Sequence, residues 1–256
     1  MIVQWIRNRR RAKIAKQKFP DKWDDVIRKN VLHVRYLDPQ QAARLRFFVQ
    51  VFIAEKYWEG CDGQTIDDEV KVTIAAQVGL LTLGRYPIWF DHVLSILVYP
   101  DEHVSTSRDD SNGIVTESAQ MQLGEAVWQG PVILSWIDVL AGGRREEPGH
   151  NLVLHEFAHQ LDMANGQLID GVPPMQTQQE LDNWVATMTM AYEHLQVQCS
   201  ATRPTAIDCY GTGNVTEFYS VATEAFFENP RATTEQYPDL YNLLRNYYSV
   251  DPASWC

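Results

Sequence analysis

From Pro39 onward the apolar positions of PQQAARLRFFVQVFIAEKYWEG recur at helical spacing. Asp38 stands where an N-cap belongs, a proline follows early, and Gly60 supplies a stop. The spacing predicts a helix over this whole stretch. A second helix is expected in TIDDEVKVTIAAQVGLLTLG, opening near Asp67 or Asp68, and an earlier one over residues 21–34. The period then changes. VLSILVYP alternates and ends on proline, which predicts a strand. Residues 101–113, DEHVSTSRDDSNG, read as a polar loop, and GPVILSWIDVLAGG as a strand bounded by glycines. Helical spacing returns in LVLHEFAHQLD, after the loop RREEPGHN, and again over residues 178–198. Residues 199–213 read as loop. NVTEFYSVATEAFFENP is a helix stopped at Asn229-Pro230, and YPDLYNLLRNYYSVDP closes the chain. The pattern is α+β, with a mostly helical front, a small sheet, and later helices that carry unexpected polar residues. There is no internal repeat and no low-complexity tract.

A chain of 256 residues is long for one domain and short for two, and its 45% hydrophobic content is ample for one core. No apolar run approaches the ~20 residues that span a bilayer. The net charge of −11 is unevenly distributed. Residues 1–30 hold ten of the 22 Lys and Arg and three of the 33 Asp and Glu, so the remainder, with 12 basic and 30 acidic residues, carries −18. An acidic body argues against direct nucleic-acid binding. The expected division is a basic arm, residues 1–18, ahead of a single domain, residues 19–256. The arm lacks the long apolar region and cleavage site of a secretory signal. It has two readings: a solvated tail, or a weak membrane-surface or partner-docking helix with Ile2, Trp5, Ile6 and Ile14 on one face. Cys61, Cys199, Cys209 and Cys256 form no CxxC pair. A cytoplasmic location and reduced thiols are therefore expected, with Cys199–Cys209 the one conceivable bridge.

The candidate chemistry lies in LVLHEFAHQLD. His155 and His159 are four apart and therefore on one helical face, so that both imidazoles reach one ion. Glu156 projects beside them, where it can take a proton from water. This is the HExxH arrangement of zinc peptidases. The apolar flanks NLVL and FA bury the helix, as a rigid metal scaffold requires. A catalytic zinc needs a third protein ligand. The continuation QLDMANG has no histidine, which excludes the metzincin extension. A glutamate on a later helix is the other solution, with Glu217, Glu224 and Glu228 available. Glu217 and Glu224 are seven apart and share a face, so spacing alone leaves either open.

GPVILSWIDV, NLVLHEFAHQLDMANG, GVP, CYGTGNVTEFYSVATEAFF and FPDKW together resemble the Mlc titration factor A family of zinc peptidases, from Phe19 to Pro252. Around the metal the order also resembles the catalytic domain of the lethal-factor toxin protease. The resemblance implies a zincin-like, gluzincin-like fold with a small mixed sheet and one Zn2+ per chain. It implies Glu217 as third ligand, with Glu224 supporting or packing behind it. It also implies a role for Tyr210, seven residues before Glu217, in stabilising an oxyanion. Two departures stand out. The loop GIVTESAQMQLGEAVW has Thr116 where family members carry a further histidine, and Val221 occupies a position that is acidic in the toxin.

Two functions follow. One is hydrolysis of peptides or proteins, with Glu156 as general base and PVILSW pairing with the substrate backbone. The other, implied by the family name, is capture of a Mlc-like transcriptional repressor of sugar uptake, with peptide cleavage incidental. Asp162, one turn beyond His159, is expected either to orient a ligand histidine or to sit solvated at the helix end. His150 reads as a loop histidine, and His33, His92, His103 and His194 show no ligand spacing. Asn214 in NVT reads as a helix cap.

Overall fold

A computed structural model describes residues 2–84, 88–101, 130–146, 148–166 and 169–255. Thr116, the loop around it, His103 and Cys256 lie outside the described residues. Helices α1 (Ile2–Ile14) and α2 (Asp21–Asn30) lead into a short 3-10 turn, Leu32–Tyr36. Helix α3 (Pro39–Glu55) opens on a complete capping box: the Asp38 side chain accepts from the Gln40 and Gln41 N–H groups, and the Gln41 side chain accepts from the Asp38 N–H.

Helix α3 stops earlier than its periodicity suggests. Lys56 turns extended, and Tyr57–Gly60 form strand β1. Lys56 Nζ donates to the carbonyls of Trp89, Phe90 and Val93, at 3.2, 2.6 and 2.9 Å. A contact to residues more than thirty positions away ties the chain end down there, and no local pattern announces it. Helix α4 (Asp68–Leu80), capped by Asp67, is buried on nearly every side and packs against α2 and α3. It joins β1 to β2 (Ser95–Tyr99), and β2 is joined in turn to β3 (Val132–Ser135). The order is β1-β2-β3. Tyr57 pairs with Ser95 and Ile96 with Val132, and both pairings are parallel. The described sheet is thus parallel throughout, where a mixed sheet was expected.

The segment expected as one long strand divides. Only Val132–Ser135 is extended, and Ser135 then caps helix α5 (Trp136–Arg144) by accepting from the Asp138 N–H. Gly142 and Gly143, expected to bound the strand at its far end, sit inside α5. A Cβ on Gly143 would stand 2.3 Å from the Asn30 carbonyl oxygen, and one on Gly142 2.9 Å from Asn151 Cγ. Two bare positions let α5 lie against α2 and against the residue that opens helix α6 (Leu152–Met163). Helices α7 (Gln178–Ser200) and α8 (Val215–Glu228) follow, then α9 (Pro230–Gln236), which the sequence pattern did not indicate, and α10 (Pro238–Tyr248).

Residues 199–213, expected as loop with reduced thiols, are more ordered than that. Cys199 at the end of α7 is bonded to Cys209, with 5.8 Å between the Cα atoms. Cys209 opens a 3-10 turn, Cys209–Thr212. The chain returns to the end of α7 within ten residues, and only the folded path brings the two sulfurs together. Helix α1 is not loose. Arg11 is 3% exposed and pairs with Glu55 at 2.6 Å and with Asp91, and Ile14 is buried. Trp5 and Ile6 face outward while Ile14 is buried, so these three do not share one face.

Candidate metal centre

Helix α6 positions the histidines. Its N-cap is Asn151, whose side chain accepts from the Leu154 N–H. Val153, Leu154, Phe157, Ala158 and Leu161 are fully buried on one side. Phe157 meets Phe52 and Phe90 edge-on, with ring centroids at 5.7 and 5.1 Å. Burial of such a side chain is worth about 1.5–3 kcal/mol, so the helix is held by its apolar side. His155, Glu156 and His159, all partly exposed, are left on the other.

Helix α8 lies against α6 and presents three glutamates along one face. Glu217 faces the histidines: its Oε2 lies 3.1 Å from His155 Nε2 and 3.5 Å from His159 Nε2. The two Nε2 atoms are 3.2 Å apart. Glu224 stands behind the site. Its Oε1 accepts from His155 Nδ1 at 2.8 Å and its Oε2 from the Asn151 N–H at 2.6 Å. Glu228 accepts from the Asn151 side-chain amide at 2.9 Å, and Arg145 Nε reaches its other oxygen at 3.1 Å. The three carboxylates that spacing could not tell apart therefore have three different tasks. The cap residue Asn151 gathers two of them.

His155, His159 and Glu217 suit a zinc ion. Donors held tetrahedrally at ~2.0–2.1 Å from one ion stand about 3.3 Å from each other. The three separations here are 3.1, 3.2 and 3.5 Å. Glu217 Oε2 is buried and receives no well-directed hydrogen bond. Two ring nitrogens that face each other and an orphaned carboxylate oxygen all point at one spot. Electrostatics agree. Burial alone would lower the His155 pKa, but the carboxylates of Glu217 and Glu224, held against its two ring nitrogens, outweigh it and carry it up to about 10. Burial pushes the Glu217 carboxyl up, and the two imidazoles outweigh that and hold it at about 2. The site favours positive charge.

Burial raises the pKa of Glu156. The positive charge of His155 and His159 opposes the shift, and the neighbouring carboxylates Glu217 and Glu224 add to it. Such a carboxylate binds a proton more readily than an exposed one. Tyr210 lies on the disulfide-tethered 3-10 turn, 54% exposed, with its ring 6.1 Å from that of His155. Asp208 caps that turn by accepting from the Tyr210 N–H at 2.7 Å, and His150 reaches Asp208 at 3.3 Å. His150 thus braces the turn that carries Tyr210, a link its sequence position does not reveal. Asp162 neither orients a histidine nor lies in solvent. It is fully buried and accepts from the N–H groups of Gly171, Val172 and Asp170, fixing the loop beyond α6. Asn214 caps α8 as expected, accepting from Thr216 and Glu217.

A family model described as glucose-regulated metallo-peptidase M90 matches residues 4–249. The chain is 33% identical over 250 residues to the uncharacterized protein slr2042 of Synechocystis sp., covering 96% of this chain and 90% of that protein. It is 28% identical over 233 residues to Mlc titration factor A of Escherichia fergusonii, covering 90% and 86%. A third relative, Mlc titration factor A of Edwardsiella ictaluri, is 30% identical over 193 residues, with 72% and 73% covered.

Proposed function

This chain belongs to the glucose-regulated metallo-peptidase M90 family, and from that premise we propose that it is a zinc-dependent peptidase whose ion is held by His155, His159 and Glu217. The observation that carries the reading is the convergence of their donor atoms, with separations of 3.1 to 3.5 Å, beside a glutamate on the same helix. A zinc ion held there would polarise a scissile carbonyl and lower the pKa of a water molecule. Glu156 takes the proton of the attacking water and passes it to the leaving amine. Burial raises its pKa, which makes it a stronger proton acceptor than an exposed carboxylate. Tyr210 turns its phenol toward the carbonyl oxygen as negative charge develops. Among the described strands β3 is an edge and contacts α6. An extended peptide pairing with it would lie along the metal helix.

The names of the relatives favour a second reading, in which the protein captures a Mlc-like transcriptional repressor. A binder needs no base beside its ligands, so Glu156 favours the enzyme. Profiling a peptide library with zinc-loaded and chelator-stripped protein tests the proposal. Cleavage by the zinc-loaded form alone is expected. Equal cleavage by both forms, or none by either, would leave the binding reading ahead.

A further inference from the structure

The outer face of α1 is unexplained by the metal centre. Residues 1–18 carry seven Lys and Arg and no Asp or Glu, while the chain beyond residue 30 carries a net −18. Arg10 donates to the Ala54 carbonyl and Lys18 pairs with Asp21, and the other five cations fall into two sets. Arg7 and Arg11, one turn apart, face the body and pair with Asp91 and, for Arg11, Glu55, with Ile14 buried on the same side. Arg11 also lies over the Trp89 ring, 4.6 Å from its centroid. That side of the helix is committed.

Among the described residues the opposite side makes no ion pair with the body. At 100° per residue Arg9 and Lys13 fall opposite Arg11, each roughly 160° away, with Trp5 and Ile6 on their flanks and Lys16 in the turn just beyond the helix. Arg9, Lys13 and Lys16 are exposed, and Trp5 is 61% exposed with the Arg9 guanidinium 5.2 Å from its ring centre. Ile6 is also exposed. The contacts of Arg7, Arg11 and Ile14 hold the helix flat against the body, so its cationic, tryptophan-bearing side is presented outward as a fixed surface.

We propose that this face of α1 docks on an anionic lipid surface. Cations attract acidic headgroups, and a tryptophan among them takes the position aromatic side chains prefer at the membrane–water boundary. No helix among the described residues is long and apolar enough to cross a membrane; the contact is peripheral. With a single short helix supplying it, the attachment is reversible and sensitive to salt. A nucleic-acid duplex fits the face less well. It offers nothing to Ile6, and its length would bring phosphates against the acidic body.

The test is co-sedimentation of the full-length protein with vesicles of phosphatidylcholine alone and of phosphatidylcholine mixed with phosphatidylglycerol, at low and high salt. At least about tenfold stronger binding to the acidic vesicles is expected, lost in high salt. The triple variant Arg9→Glu, Lys13→Glu, Lys16→Glu should abolish it, and Trp5→Ala should weaken it. Neither variant touches the contacts of Arg7, Arg11 and Ile14, so both should keep the wild-type melting temperature. Equal binding to both vesicle types, no binding, or unaltered binding by the triple variant would overturn the proposal. So would tighter binding to a DNA duplex than to acidic vesicles, or salt-sensitive self-association that the triple variant removes, since each names a different occupant for the face.

Discussion

Replacing Glu224 separates support of the metal centre from direct ligation. Its carboxylate is 5% exposed and makes two hydrogen bonds, one from His155 Nδ1 at 2.8 Å and one from the Asn151 N–H at 2.6 Å. The first fixes the imidazole so that Nε2 faces Glu217. The second ties the start of α6 to α8. Groups that orient a ligand histidine in this way typically contribute about 10–100-fold in metal affinity. Glu224→Ala removes both bonds and should cost about 100-fold in zinc affinity. It also leaves the buried Asn151 N–H unpaired, so the melting temperature should fall, by a free-energy cost on the order of 3 kcal/mol. Glu224→Gln keeps the shape, but an amide has one acceptor oxygen. Its NH2 group must face one of the two donors, so one bond survives and the loss should be nearer 10-fold. Competition against a chromophoric zinc chelator measures both variants, with Glu217→Ala as reference, which should hold zinc more weakly than either. Wild-type affinity in both Glu224 variants would refute the orienting role. Loss of zinc from Glu224→Ala but not from Glu217→Ala would reverse the assignments.

Three other perturbations act on the turn that carries Tyr210. Tyr210→Phe should retain zinc while peptide hydrolysis falls on the order of 100-fold, measured at matched metal content; an undiminished rate would remove the phenol from the reaction. Gly211→Ala would set a Cβ 2.5 Å from Val221 Cγ2 and 3.2 Å from the Phe218 Cα. It should lower stability by about 1–3 kcal/mol in thermal unfolding, and an unchanged melting temperature would mean that the turn shifts freely. The Cys199→Ala, Cys209→Ala double variant opens a ten-residue loop and should lose about 3 kcal/mol, with free-thiol titration of the wild-type protein confirming the bond.

The convergence of His155, His159 and a later glutamate could be expected from the chain because their spacing is helical. His155 and His159 had to share a face, and Glu217 and Glu224 had to share another, whatever the tertiary structure. Helical spacing could not say which carboxylate meets the imidazoles at Nε2. That depends on how α8 slides along α6, and Asn151 fixes it by meeting Glu224 with its N–H and Glu228 with its side chain. Asn before an apolar run is a legible cap, but its two carboxylate partners are 73 and 77 residues away. The fold was less legible where one apolar run serves two elements. VILSWIDVL reads as a single strand because nothing in its periodicity marks the cap at Ser135. Likewise KYWEG continues the α3 pattern, and only the carbonyls of Trp89, Phe90 and Val93 around Lys56 explain why the helix stops. Cys199–Cys209 was the one pairing the sequence allowed, but reduced thiols were the expectation, because the bond joins a helix end to a turn that ten residues of unpatterned sequence do not predict.

The central claim is that Glu156 moves protons for a zinc-dependent hydrolysis, and Glu156→Gln tests it most directly. The substitution keeps the side chain's size and leaves His155, His159 and Glu217 in place. Zinc content by elemental analysis and turnover of a library-selected peptide should be measured on the same preparation. The account predicts one zinc per chain, as in the wild type, with hydrolysis reduced about 100-fold or more. Undiminished hydrolysis by zinc-loaded Glu156→Gln would contradict it.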